Sequence, residues 1–87
     1  MDNNVRFSLY APQAKSVSIA GTFNQWDPHR DQLKDHGRRR LWSIQLPLPA
    51  GRYEYLFIID AEQWMPDPDA PGSDDGMGGI NSVLVVP

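Results

Sequence analysis

Eighty-seven residues, a formal net charge of −3 and no cysteine exclude several classes of protein. A chain this short is one domain at most, folding buries only about 60–65% of its unfolded surface, and it has neither a disulfide staple nor a thiolate metal site. Every lysine and arginine lies at or before Arg52, and seven acids follow it, a balance that disfavours nucleic acid, whose phosphates need a basic face.

No run of about 18 apolar residues could cross a membrane. Met1-Asp2-Asn3-Asn4 lacks the pattern of a signal peptide. The absence of disulfides suits a reducing compartment, so a cytoplasmic location is expected. Residues 1–4 read as a loosely attached N-terminus and 5–87 as a single domain.

The chain then alternates with a period of two. Val5, Phe7 and Leu9 alternate with Arg6, Ser8 and Tyr10. Val17 and Ile19 alternate with Ser16, Ser18 and Ala20, and Trp42, Ile44 and Leu46 with Ser43 and Gln45. Tyr53, Tyr55, Phe57 and Ile59 alternate with Arg52, Glu54, Leu56 and Ile58, and Asn81–Val86 is rich in β-branched residues. Turn signals separate these runs: Ala11-Pro12-Gln13-Ala14, Asp27-Pro28-His29, Asp35-His36-Gly37, Pro47–Gly51 and the long stretch from Pro66 to Gly79. Arg38-Arg39-Arg40 reads as a hairpin turn with a solvated charge cluster. No segment of ten residues carries a helical stripe. The pattern predicts an all-β sandwich of about seven to eight short strands. Leu56 and Ile58 sit in the solvent-side phase of their strand, which means cover on both faces or a partner surface.

Catalytic chemistry finds little support. His29 and His36 lie in turns near acids, but no serine stands on a nucleophile elbow. The aspartates cluster beside Pro and Gly, where turns favour them, and a thin sandwich offers little room for the facing carboxylates of a glycosidase. Asp67-Pro68-Asp69-Ala70-Pro71-Gly72 begins like an EF-hand loop, but Pro71 and Gly78 occupy ligand positions. Gly76-Met77-Gly78-Gly79 lacks the lysine and helix of a phosphate loop. No enzyme activity, cofactor or metal is expected.

Binding by stacking is left. Trp42 is in phase with Ile44 and Leu46 and belongs to the core. Trp26 and Trp64 instead lie in turn-rich segments among Asn, Gln, Asp and Pro. A loop tryptophan either caps the core or presents a flat face to a ligand, and spacing alone does not choose. Gln25 and Asn24 beside Trp26, and Gln63 beside Trp64, carry amides that both donate and accept, as sugar hydroxyls require. Asn81 opens the last strand, where its amide can project.

Two stretches carry a resemblance. The first is Tyr10-Ala11-Pro12-x-Ala14-x-x-Val17-x-Ile19-x-Gly21-x-Phe23-Asn24-x-Trp26. The second is Leu46–Asp60, with Gly51, Tyr53, Tyr55, Phe57 and Asp60 at their places. Trp64, Asp67-Pro68 and Asn81-Ser82-Val83 continue in order. Together they resemble family 48 carbohydrate-binding modules, a group that includes the glycogen-binding domain of AMP-activated protein kinase beta subunits and the N-terminal domains of isoamylases and branching enzymes. The resemblance implies an early-set immunoglobulin-like sandwich that binds α-1,4-glucans without catalysis. It implies stacking platforms at Trp26 and Trp64, an inserting side chain at Met77 and a hydroxyl-binding amide at Asn81; Gln25 and Gln63, the amides beside the two tryptophans, are weaker candidates on their own chemistry. Where those domains use a sugar-contacting lysine this chain has Leu56, a threonine position holds Gly79, and the turn before Trp64 is one residue longer. Two alternatives stand beside this one: an immunoglobulin-like protein-interaction or regulatory module with weak or lost sugar binding, and an accessory domain of a branching or debranching enzyme, with a protein partner or linked catalytic domain.

Overall fold

The computed structural model describes residues 2–35, 37 and 40–87. Met1, His36, Arg38 and Arg39 lie outside the described residues, and with them most of the expected basic turn.

Each alternating run forms a strand, because one apolar face can be buried while the ladder satisfies the backbone. In order these are β1 (Asn3–Tyr10), β2 (Val17–Gly21), a 3₁₀ turn (Thr22–Asn24), β3 (Asp31–Gln32), β4 (Lys34–Asp35), β5 (Leu41–Leu48), β6 (Gly51–Ile59), β7 (Gln63–Met65), β8 (Gly72–Asp74) and β9 (Ile80–Val86). The strands form two antiparallel sheets, ordered β1-β5-β4 and β3-β2-β6-β9-β8, with β7 also paired to β6. This is an all-β architecture consistent with an immunoglobulin-like sandwich.

Two details differ from the sequence reading. Nine strands occur among the described residues, because β3 and β4 are two-residue bridges and β8 pairs by backbone alone through Gly72, Ser73 and Asp74. None of the three carries apolar alternation. The N-terminal segment is also more attached than expected. Asn3 and Asn4 pair with Leu48 and Pro47, and the Asn3 side-chain amide donates to the Pro87 carbonyl at 3.4 Å. Ladder bonds need no apolar side chain.

The core lies between the sheets. Phe7, Leu9, Val17, Ile19, Trp42, Leu48, Tyr55, Phe57 and Val86 are buried in it. The Tyr55 ring meets Phe7 edge-on at 5.0 Å and Phe57 at 5.8 Å, the geometry aromatic quadrupoles favour. Trp42 is buried as expected, and its indole N–H donates to the Ala11 carbonyl at 3.1 Å.

The outer face of the larger sheet is also covered in part. Ile58 is only 1% exposed, yet it stands outside the core cluster, paired with Ser18 on one side and Trp64 on the other. Ser18 and Ala20, in the same phase, are buried too. The apolar outward phase of β6 therefore reflects cover on both faces in this row.

Candidate functional site: one face of the larger sheet

Trp26 is carried by a loop that the Asn24 side chain organises. The Asn24 carboxamide oxygen accepts the Gly21 N–H at 3.0 Å, and its amide donates to the Ile19 carbonyl at 3.1 Å and to the Asp31 carboxylate at 2.8 Å. Asn24 is 2% exposed. It is therefore a loop organiser, not a free amide beside the tryptophan. Gly21 is required at the strand end, since a Cβ there would stand 2.5 Å from the Glu54 carbonyl and 2.8 Å from the Tyr55 Cβ.

Beyond this turn Gln25 and Trp26 both take left-handed backbone conformations, at φ 58° and 59°. Such a conformation costs a non-glycine residue about 1–2 kcal/mol, and it persists only where surrounding bonds over-determine it. Here the Trp26 N–H donates to the Gly21 carbonyl at 2.9 Å, and the Asp27 N–H to the Asn24 carbonyl at 3.2 Å. Trp26 is half-buried and is not among the side chains packed on the core.

Trp64 is set by strand phase. It faces Ile58 across the β6–β7 ladder, so its ring belongs to the outer face of the larger sheet. It is 44% exposed. Between Trp64 and the Gly21 anchor of the Trp26 loop, the ladder places Ala20 and Leu56 in the next outward row.

The β8–β9 hairpin reaches the same end of this face. Its turn is wound on Asp75, whose Oδ1 accepts the N–H groups of Met77 at 2.7 Å and Gly79 at 2.9 Å. Gly76 and Gly78 flank the tip at φ 83° and 87°, which only glycine adopts freely. Met77 sits at the tip, 92% exposed. Asn81 shares the outward phase of β9 with Val83 and Val85, and its amide donates to Glu54 Oε1 at 3.3 Å. Glu54 Oε2 in turn accepts the Arg52 guanidinium at 2.8 Å. The Arg52 hydrogen bond, then that of Asn81, holds the Glu54 carboxyl below its ordinary value.

Trp64 and Asn81 thus share the outward phase of the larger sheet, Met77 stands at the exposed tip of the β8–β9 hairpin, and the Trp26 loop follows the end of β2. Gln25 is exposed next to Trp26, where its carboxamide oxygen accepts Arg30 at 3.4 Å. Gln63 is not part of this group. It pairs with Ile59, in the opposite phase from Trp64.

Sequence reasoning missed Glu54 and Arg52. Their signal was present in the alternation, which puts both on the outward phase of β6. The aspartates around Asp67 prove structural: Asp67 accepts the Tyr55 hydroxyl at 2.7 Å and the Asp69 N–H at 2.9 Å. Among the described residues no group of three or more His, Asp or Glu side chains is placed to hold a metal, and no helix is long and apolar enough to cross a membrane. An open indole and an amide on one outward phase suit a ligand that combines a flat apolar surface with hydroxyls.

The fold defines the class: a small all-β module consistent with an immunoglobulin-like sandwich. Residues 1–70 match the model of carbohydrate-binding module 48, the isoamylase N-terminal domain, and the chain belongs to that family. It is similar to 1,4-alpha-glucan branching enzymes. Identity is 37% to that of Rhizobium johnstonii (GlgB 2) over 69% of this chain and 8% of the relative. It is 43% to that of a Shewanella species over 63% and 7%, and 44% to that of Methylobacillus flagellatus over 68% and 8%. The chain thus spans less than a tenth of the length of these relatives.

Proposed function

We propose that this domain binds α-1,4-glucan chains without altering them, using Trp26 and Trp64 as stacking platforms, Met77 as an inserting side chain and Asn81 as a hydroxyl-binding amide. The observation that carries the reading is the partly open Trp64 ring on the same outward face as Asn81. Family membership supports the ligand class. Each glucose ring offers an apolar C–H face that an indole can cover, worth about 1–3 kcal/mol by analogy with base stacking. Two platforms and an amide give a dissociation constant in the micromolar to millimolar range, about −4 to −8 kcal/mol. Asn81 works while tethered to Glu54, so the Arg52–Glu54 pair orients it. Leu56, in the outward row between Trp64 and Gly21, supplies apolar floor and no hydrogen bond.

Titration with maltoheptaose, read by tryptophan fluorescence, tests this. Trp26→Ala and Trp64→Ala variants that remain folded should each bind at least about fivefold more weakly. Unchanged affinity in both rejects the assigned site.

A second reading concerns context. The matched stretch is only 7–8% of each of these branching enzymes, which supports a reading of the domain as an accessory unit that holds a linked catalytic domain on its polymer. Coding sequence that continues into a catalytic domain would support this. A confirmed free-standing gene product would reject it.

A further inference from the structure

Besides Trp64, one large aromatic is exposed among the described residues: Tyr10, at 68%. It borders a groove of about 260 Å³ lined by Ala11, Pro12, Gln13, Ala14, Ile59, Asp60 and Gln63. Four segments meet there: the end of β1, the β1–β2 loop, the end of β6 and β7.

Hydrogen bonds hold the backbone of the groove in place. The Ala14 N–H donates to the Ala11 carbonyl at 3.2 Å. Asp60 Oδ1 accepts the Lys15 and Ser16 N–H groups at 2.7 and 3.1 Å, and the Asp60 N–H donates to the Ser16 carbonyl at 2.9 Å. Trp42 ties down Ala11 from inside the core. The walls are therefore preformed, which lowers the ordering cost of binding.

Its chemistry selects a ligand class. None of the lining residues is cationic, so an anion finds no partner. Its one carboxylate already accepts two backbone N–H groups. What the groove offers is an open phenol ring, apolar Ala and Pro surface, and the two exposed amides of Gln13 and Gln63. That is an aromatic platform with groups that both donate and accept.

We propose that this groove is a second glucan subsite, with Tyr10 as its platform and Gln13 and Gln63 as its hydroxyl-pairing amides. The proposal rests on the glucan reading of the Trp26–Trp64 face. The link between the sites is β7. Successive strand residues point to opposite faces, so this three-residue strand sends Trp64 to one site and Gln63 to the other. Its only ladder among the described residues is with β6, so no strand pairs along its far edge there. A long glucan can cross that edge and engage both, which raises its effective concentration at the second.

Nuclear magnetic resonance titration of the ¹⁵N-labelled 87-residue chain with maltotriose and with maltoheptaose tests the inference. Two separate groups of resonances should shift, one around Trp64 and Asn81 and one around Tyr10, Gln13 and Gln63. Tyr10→Ala should weaken maltotriose binding at the second group by at least about fivefold. It should leave the first group unchanged, and Tyr10→Trp should restore the second. Gln63→Ala should weaken the second group alone. If the Trp64 group responds and the Tyr10 group is silent, the second subsite is overturned while the first reading stands. If neither responds, both fail. If Tyr10→Ala changes only association with a protein chain, the groove is a protein contact and the proposal is overturned.

Discussion

The Tyr55 phenol reaches out of β6 and donates to the Asp67 carboxylate at 2.7 Å, while the Asp67 N–H donates to the hydroxyl of Ser82, the residue paired with Tyr55 across the β6–β9 ladder, at 2.6 Å. One aspartate thus ties two adjacent strands to the segment that follows Trp64. Tyr55→Phe should destabilise the domain by about 1–3 kcal/mol, since a partly buried carboxylate loses a charge-assisted bond. Guanidinium unfolding measures this.

The same bond sets an alkaline response. Burial first, then the hydrogen bond from the phenol to Asp67, pushes the Tyr55 pKa far above its ordinary 10.0. The folded state holds a proton that the unfolded state releases. The contribution is therefore complete below pH 10.0 and is lost as the pH rises above it. Unfolding measured between pH 8 and about pH 11 should show this decline in the wild type and less of it in Tyr55→Phe.

Asn24→Ala should cost about 2–4 kcal/mol. It removes three hydrogen bonds and leaves the Gly21 N–H and Ile19 carbonyl without their side-chain partner. The left-handed Gln25–Trp26 pair loses its frame. Glucan affinity should therefore fall even at temperatures where the variant is folded, which calorimetry on the folded fraction reads.

Ala61→Gly should stabilise the domain by about 0.5–1 kcal/mol. Asp60 and Ala61 hold φ at 54° and 61° in the turn closed by the Glu62 N–H on the Ile59 carbonyl at 3.1 Å. Glycine removes the Cβ penalty at Ala61 but adds unfolded-state entropy, so the net gain is modest. Asp60 should not be exchanged, because its carboxylate clamps the β1–β2 loop. Glucan binding should be unchanged in Ala61→Gly.

Gly21→Ala should destabilise by about 1–3 kcal/mol or more. The new methyl meets backbone and the Tyr55 Cβ, neither of which can swing away. Thermal melting should show the drop.

Much of this structure was legible in the sequence. The alternation of Phe7 and Leu9, of Ile44 and Trp42, and of Tyr55 and Phe57 gave both strand identity and core face, because each element buries one side. The phase of Trp64 was harder to see. Only the pairing of its three-residue strand with β6 separates it from Gln63, and three residues are too few to display a period. Asn24 looked like an available amide because sequence cannot show that a turn folds back on its own side chain. β3, β4 and β8 were silent for a related reason: backbone ladders at a sheet edge demand nothing of the side chains. Asn81 was visible as an amide at a strand start, but its tether to Glu54 depends on neighbours 27 positions away.

Because Trp64 and Gln63 alternate on a single short strand, the number of residues between Ile59 and Gln63 decides which of the two faces outward. Adding or deleting one would slide the register and trade the indole for the carboxamide, turning each toward the surface the other now serves. A change of length there must therefore come with a compensating shift in how the short strand pairs, while Asp60 stays fixed by its hold on the Lys15 and Ser16 N–H groups.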